Sequence, residues 1–286
     1  LKIMPYELNN SVLLYNIDIF DRFGLDYPTD GLTWDDVTDI TRQVTRFEDG
    51  VQYTGISYGG LNPVFKNQMM LTFIDDEAQK ATLNTDGWKH WMEVMSAPYR
   101  IDGNDYGNDI PFFKEQTMAM RTGPSPLERL PEAIEAGLRW DAVTFPVFPG
   151  YEEYGSQMNS PFYTIVPTSK HKDAAFQVIS YLLSDELQTM NAQKGRVPVV
   201  DKPEVVAEFG KNLPFLEGTR YAEVIFKEKI APPAPVSMHD MVGRQQISDG
   251  LIKVNRGESD INSILREIQE AADSNLAEAI KRANAS

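Results

Sequence analysis

The residue types that most often carry enzyme chemistry are sparse in this sequence. Histidine occurs three times in 286 residues, at His90, His171 and His239, and no two of these have the spacing of a metal-binding pair. Cysteine is absent, which excludes thiolate nucleophiles, cysteine-bound zinc and iron–sulfur clusters. The sequence also lacks a phosphate-binding glycine loop, a dinucleotide fingerprint and a serine nucleophile elbow. We therefore expect no resident cofactor and no metal centre.

One loop comes near to a calcium-binding pattern. Residues 102–109 place oxygen ligands, Asp102 and Asn104, at the first and third positions of an EF-hand-like loop, with glycine at the sixth. Tyr106 and Phe113 stand where two further oxygen ligands belong. The spacing thus fails twice, and a solvated turn is favoured over a calcium site.

Carboxylates are the one abundant reactive group, with 42 Asp and Glu residues. Residues 75–77 and 152–153 form the densest clusters, and both are typical of solvated loops. A glycoside hydrolase needs two carboxyl groups about 5–10 Å apart across a cleft, and adjacency in sequence does not predict that spacing. A secreted carbohydrate-active enzyme with paired carboxylates therefore stays open as the alternative to a binding protein.

Charge and composition narrow the function further. The net charge of −15 opposes binding to nucleic acid or to anionic lipid. The chain is 42% hydrophobic and 24% charged, a balance typical of globular proteins. No apolar stretch reaches the ~20 residues that a membrane-spanning helix requires.

Alternating patterns predict an α/β protein with an all-helical end. Short β-branched and aromatic runs predict five strands, at 12–15, 53–58, 117–121, 140–145 and 162–166. Amphipathic spacing predicts helices that begin after Thr33, Thr85 and Ser184, a helix over 173–183, and four helices in the tail, at 203–211, 219–229, 239–254 and 259–283.

Three tryptophans lie on predicted helical faces. Trp34 directly follows the predicted cap Thr33, and Trp88 and Trp91 share one face of the next helix. We predict that all three belong to the core rather than to a ligand platform.

The run Y-N-I-D-I-F-D-R-F-G-L at 15–25, continued by Y-P-T-D-G-L-T-W-D-D at 27–36, resembles the sugar-binding branch (family 1) of the extracellular solute-binding proteins of ABC importers. F-K-E-Q-T-M-A-M at 113–120, P-V-F-P-G at 146–150, S-K-H-K-D-A-A-F at 169–176 and G-R-V-P at 195–198 resemble further family motifs in the expected order. The sequence departs from the family pattern at Gln116, where glycine is usual, and at Ser125, where a tryptophan is common.

The resemblance implies a periplasmic-binding-protein-like (type II) two-lobe fold, here truncated at the N-terminus. Residues 1–127 would form the first part of the C-terminal lobe, with a hinge strand near 2–6. Residues 128–197 would be an incomplete return segment of the N-terminal lobe, and 198–286 the helical tail of the C-terminal lobe. On this interpretation, the start at Leu1 indicates that the preceding part of the protein is absent.

The resemblance also implies a non-enzymatic receptor that captures a sugar or oligosaccharide and delivers it to ABC permease subunits. Such a protein would be an extracellular monomer, held at the cell surface or in the periplasm, with any lipid anchor outside this chain. A lobe that has lost its ligand and kept a structural or signalling role is a third possibility. The predicted ligand-binding residues are Tyr6, Asn9, Asn62, Phe65, Ser125, Asn159 and Phe162.

Overall fold

The computed structural model describes residues 3–58, 63–123, 126–155, 157 and 160–284. The strands, in chain order, are β1 Met4–Pro5, β2 Val12–Asn16, β3 Arg46–Glu48, β4 Val51–Ser57, β5 Ile74–Asp75, β6 Lys80–Ala81, β7 Met118–Thr122, β8 Trp140–Thr144 and β9 Phe162–Tyr163. The α-helices are α1 Ile17–Phe23, α2 Trp34–Val44, α3 Asp86–Ser96, α4 Leu130–Glu135, α5 Lys172–Leu182, α6 Asp185–Gln193, α7 Pro203–Val206, α8 Tyr221–Val224, α9 Asp240–Asn255 and α10 Ile261–Asn284.

A five-stranded mixed sheet with the order β3-β4-β7-β2-β8 organises the chain. The strand β2 pairs antiparallel with both β7 and β8, whereas β4 and β7 run parallel. All five residues of β2 are buried, as expected for an inner strand that is covered on both faces.

Each face of the sheet supports its own apolar core. Leu13 and Tyr15 of β2 belong to a core that α2, α3, α9 and α10 complete. Val12 and Leu14, which alternate with them, belong to the core on the opposite face, together with residues from 112 to 138 and from 197 to 226. The predicted α/β class is confirmed, with helices on both faces of one sheet.

The helix α2 shows how local sequence sets the packing. Thr33 and Asp36 form a reciprocal capping box at its start, as the predicted cap requires. Thr85 and Ser184 also cap the helices that follow them. The helix α2 then approaches β4 closely because Gly55 has no side chain: a Cβ there would lie 2.5 Å from the Cα of Thr41.

The helical tail is less regular than predicted. The segments 203–211 and 219–229 form only the single turns α7 and α8. Tertiary hydrogen bonds hold the chain after α8: the carbonyl of Ile225 accepts from Nδ2 of Asn10, and the carboxylate of Glu228 accepts from the backbone N–H of Ser11. These contacts keep the segment beside the start of β2 instead of in a longer helix. The predicted helices at 239–254 and 259–283 are confirmed as α9 and α10.

The segment 160–197 has an exposed apolar face. Its strand β9 is limited to Phe162–Tyr163, shorter than predicted, and pairs with β1. Within α5, Ile179 is the one buried residue, although the helix also carries Phe176, Val178 and Tyr181, which are each more than half exposed.

Among the helices in the described part of the chain, none combines the length and the apolar character needed to cross a membrane.

Candidate functional site

The ends of four strands meet at one edge of the central sheet. The register pairs Val12 with Thr144 and Leu13 with Thr122, and Ser57 lies beside Arg121. The start of β2 therefore lies beside the ends of β4, β7 and β8. We call this border, marked by Ser11, Tyr58, Gly123 and Phe145, the site edge. Loops at strand ends commonly form ligand sites in α/β proteins.

The segment 63–71 follows β4 at the site edge, and side-chain hydrogen bonds of Asn67 and Gln68 fix its conformation. The side chain of Asn67 bonds both the N–H and the carbonyl of Leu71. The Oε1 of Gln68 accepts from the indole of Trp34 at 2.9 Å, and its Nε2 donates to the carbonyl of Pro146 at 2.8 Å. Asn67 and Met70 both adopt left-handed backbone conformations, with φ of 33° and 54°. This bonding fixes the turn that presents Phe65.

A buried ion pair lies directly beside Phe65. The Nζ of Lys66 is 3.8 Å from Oε1 of Glu228, and the two side chains are 7% and 4% exposed. Lys66 also donates to the carbonyl of Asn9 at 3.0 Å, and Glu228 accepts from Ser11 at 2.8 Å. Burial lowers the pKa of Lys66, an effect that the carboxylate of Glu228 partly offsets. The pair thus clamps the chain just before β2.

The clamp links Asn9, a predicted site residue, to the segment that carries Phe65, another predicted site residue. Lys66, the residue after Phe65, donates from its side chain to the carbonyl of Asn9. Its backbone carbonyl accepts from the N–H of Gln157 at 2.7 Å. Asn9 is exposed and Phe65 is half-buried, so both are accessible at the site edge.

Two other predicted residues lie in the β1–β9 pairing. Tyr6 follows β1, and its ring is 4.7 Å from the ring of Tyr163 at an angle of 31°. Phe162 pairs with Pro5 and is 54% exposed. Tyr6 and Phe162 therefore both belong to the β1–β9 pairing, and neither is shown in contact with Asn9 or Phe65. The remaining predicted residues, Asn62, Ser125 and Asn159, lie outside the described part of the chain.

The calcium-like loop has a different role from the solvated turn that the sequence favours. Asn104 is buried, and its Oδ1 accepts from the backbone N–H groups of Gly55 and Ile56. The carboxylate of Asp109 binds Arg121 at 3.0 Å and Arg129 at 2.7 Å. These oxygens are therefore occupied in packing the loop against the sheet. Within the described ranges, no group of three or more His, Asp or Glu could hold a metal ion.

In each acidic cluster at least one carboxylate accepts a hydrogen bond. The carboxylate of Asp76 accepts from the hydroxyl of Ser237 at 2.6 Å, and that of Glu152 accepts from the N–H of Gly150 at 2.8 Å. The second bond lowers the pKa of Glu152, whereas a general acid would need a raised value.

Sequence reasoning missed several charged residues beside the site edge. Lys66, Glu228, Asp240 and Arg244 are separated by up to 178 residues in the chain, from 66 to 244. None of them stands in a recognisable motif, so no local pattern could have grouped them. The guanidinium of Arg244 lies 5.5 Å from the ring centre of Phe65, which brings α9 to the site.

The geometry suits non-covalent binding. An accessible aromatic ring stands beside polar groups at a border built by strand ends, which is the arrangement expected of a site that holds a small polar molecule.

The sequence matches the model of one protein family. The sequence model of the bacterial extracellular solute-binding proteins matches residues 1–210. No protein of curated function matches the chain.

Solved structures with a similar fold bind or transport sugars, according to their descriptions. A sugar transporter from Rhizobium etli in an open conformation is 18% identical with a TM-score of 0.73, over 95% of this chain and 72% of that one. A substrate-binding protein from Listeria monocytogenes in complex with cycloalternan is 17% identical with a TM-score of 0.72, over 98% and 72%. A solute-binding protein from Agrobacterium vitis with bound D-mannitol is 16% identical with a TM-score of 0.68, over 98% and 73%. These likenesses establish the fold of the chain.

Proposed function

Since this chain belongs to the bacterial extracellular solute-binding proteins, we propose that it captures a carbohydrate at the site edge and delivers it to an ABC permease. The family is extracellular, so the solute would be taken from outside the cell or from the periplasm. We further propose that the protein acts as a monomer and that a lipid anchor outside residues 1–286 holds it at the membrane.

The half-buried ring of Phe65 is the observation that carries the proposal. An aromatic face packs against the C–H surface of a sugar ring, while neighbouring polar groups bind the hydroxyls. The site edge offers such groups around Phe65, and structures of similar fold contain D-mannitol and cycloalternan.

Titration calorimetry against a panel of neutral sugars tests the proposal. The panel contains D-mannitol, cycloalternan, maltose, cellobiose and mannobiose. We expect saturable binding of at least one of them. Heats of dilution alone for every sugar would contradict carbohydrate capture.

A carbohydrate-active enzyme is the alternative, and we propose that the protein has no such activity. In the acidic clusters at 75–77 and 152–153, the carboxylates of Asp76 and Glu152 accept hydrogen bonds from Ser237 and Gly150. The pKa of Glu152 is lowered. Incubation with chromogenic glycosides should release no product over several hours. Steady release that scales with protein concentration would favour the enzyme.

We also propose a division of the chain into two lobes. As the resemblance implies, the strand near 2–6 would be a hinge, and 198–286 would belong to the same lobe as the start of the chain. Because β8 pairs with β2, we propose that the first lobe continues past residue 127 to about residue 150. Residues from about 157 to 197 would then belong to the second lobe, and the apolar face of α5 is exposed in this chain.

Two substitutions in α5 test this division. Phe176→Ser is expected to change the free energy of unfolding of chain 1–286 by less than about 0.5 kcal/mol, because Phe176 is 51% exposed. Ile179→Ser is the matched control and should lower it by about 2 kcal/mol or more, because Ile179 is 8% exposed. The measurement is urea unfolding followed by circular dichroism. An equal loss in both variants would mean that the chain already covers this face.

A further inference from the structure

The start of α9 carries two charged side chains with unsatisfied polar atoms. Asp240 is 7% exposed, and its Oδ1 is buried with no hydrogen-bond partner in the described part of the chain. Arg244, one turn later, has a buried Nε that also finds no partner among the described residues. A buried polar atom without a partner costs about 1–3 kcal/mol, so two in one helical turn need a reason.

The guanidinium of Arg244 is held by aromatic rings. Its central carbon lies 5.5 Å from the ring centre of Phe65 and 5.2 Å from that of Phe73. The helix reaches Phe73 this closely because Gly243 lacks a side chain; a Cβ there would lie 2.7 Å from the Cβ of Phe73. Cation–π contacts orient the guanidinium without using its N–H donors.

The two charges do not neutralise each other directly. Asp240 and Arg244 stand four residues apart on one helix, a spacing at which ion pairs often form, yet Oδ1 of Asp240 and Nε of Arg244 have no hydrogen-bond partner among the described residues. Burial raises the pKa of the Asp240 carboxyl and the charge of Asp76 adds to this effect, whereas a backbone hydrogen bond from Ser237 and the charge of Arg244 oppose it. The neighbouring side chains of Met238 and Met241 are 86% and 60% exposed, so this turn of α9 lies at the surface.

We propose that Arg244 and Asp240 form a polar subsite beside Phe65 that binds adjacent hydroxyl groups of a neutral polyol or sugar. The guanidinium donates to one hydroxyl oxygen, and the carboxylate accepts from the neighbouring hydroxyl. An acidic sugar is disfavoured, because Asp240 and nearby Asp76 would repel its carboxylate. The subsite rests on the proposed function and names two of its specificity-determining residues.

The first experiment needs no solute. Arg244→Met removes the unpartnered donors and keeps much of the packing, so the urea midpoint of the ligand-free protein should stay unchanged or rise. Arg121→Met is the comparison, because Arg121 is buried and paired with Asp109; its urea midpoint should fall. An equal fall for Arg244→Met would assign that residue a structural role and overturn the subsite.

The second experiment measures affinity by calorimetry with D-mannitol, mannobiose and D-glucuronate. Arg244→Met and Asp240→Asn should each weaken binding of the neutral sugars at least tenfold. Arg46→Met is the matched control, since Arg46 also stacks on an aromatic ring, Phe23, at 4.2 Å and lies outside the site edge. Its affinity should equal that of the unmodified protein.

The outcomes separate the subsite from the broader function. Unchanged affinity in both variants would overturn the subsite and leave carbohydrate capture standing. Tighter binding of D-glucuronate than of the neutral sugars would overturn the assignment to neutral solutes. If the unmodified protein binds none of the three, carbohydrate capture fails for these solutes, and the subsite, which rests on it, fails with it.

Discussion

Replacing Lys66 by methionine is expected to lower the free energy of unfolding by about 3–5 kcal/mol. The substitution keeps most of the side-chain volume but leaves the carboxylate of Glu228, which is 4% exposed, without its cation. The carbonyl of Asn9 loses its donor at the same time. Urea unfolding monitored by circular dichroism measures the loss.

An exposed lysine–glutamate pair provides the control. Lys253 and Glu267 are only 2.6 Å apart, closer than Lys66 and Glu228, but their side chains are 42% and 57% exposed. Lys253→Met should therefore cost no more than about 1 kcal/mol. Equal effects of the two substitutions would show that burial does not set the strength of the Lys66 pair.

A double variant separates the ion pair from the hydrogen bonds around it. Glu228→Gln keeps an oxygen that can accept from Ser11 and removes the buried charge. Lys66→Met with Glu228→Gln should thus be more stable than Lys66→Met alone. A double variant as unstable as the single one would place the loss in the Asn9 contact instead.

The clamp matters for binding because of where it lies. It fixes residues 9–11 against the segment that carries Phe65, on the chain that leads into β2. A variant that loosens this connection should raise the mobility of the site edge as well as lower stability. A substitution at Lys66 should therefore change both the stability of the chain and the mobility of the site edge.

Local sequence signals predicted the elements that position the site. Thr33 is the capping residue at the start of α2, and Thr85 is the capping residue at the start of α3. Both follow from short-range chemistry that needs no tertiary partner. The patterns at 239–254 and 259–283 also predicted α9 and α10. The predicted periplasmic-binding-protein-like fold is confirmed by structures that cover 95–98% of this chain.

Long-range contacts account for what the sequence did not predict. Residues 219–229 contain no glycine or proline that would end a helix. The helix α8 nevertheless ends at Val224, and Asn10 and Ser11 form hydrogen bonds with the chain that follows it. Arg244 reaches Phe65 across 179 positions, from 65 to 244, through a close helix approach at Gly243. Periodicity cannot report such pairs, because their energy depends on burial that only the folded chain defines. The ligand roles of Tyr6, Asn9, Phe65 and Phe162 stay predictions.

Replacing Trp34 by alanine is expected to lower the free energy of unfolding by about 3–5 kcal/mol. Trp34 is 1% exposed and packs edge-on against Tyr58 at 5.6 Å and Phe145 at 5.4 Å. Its indole N–H is the donor to Gln68, whose buried Oε1 would be left without a partner. The burial confirms the prediction that Trp34 belongs to the core.

Phe65→Ala provides the matched comparison, because it removes an aromatic ring that is only half-buried. We expect it to lower stability by less than about 2 kcal/mol, since less apolar area is lost. Its affinity for the sugars bound by the unmodified protein should fall at least tenfold, the loss expected when a stacking face is removed. Trp34→Ala, measured below its unfolding transition, should lose less affinity than Phe65→Ala, because the indole acts on the site only through its bond to Gln68. The proposal would be contradicted if Phe65→Ala kept full affinity and lost as much stability as Trp34→Ala. Both rings would then be core residues, and Phe65 would not belong to the site. The two variants therefore distinguish an aromatic side chain that stabilises the lobe from one that binds the solute.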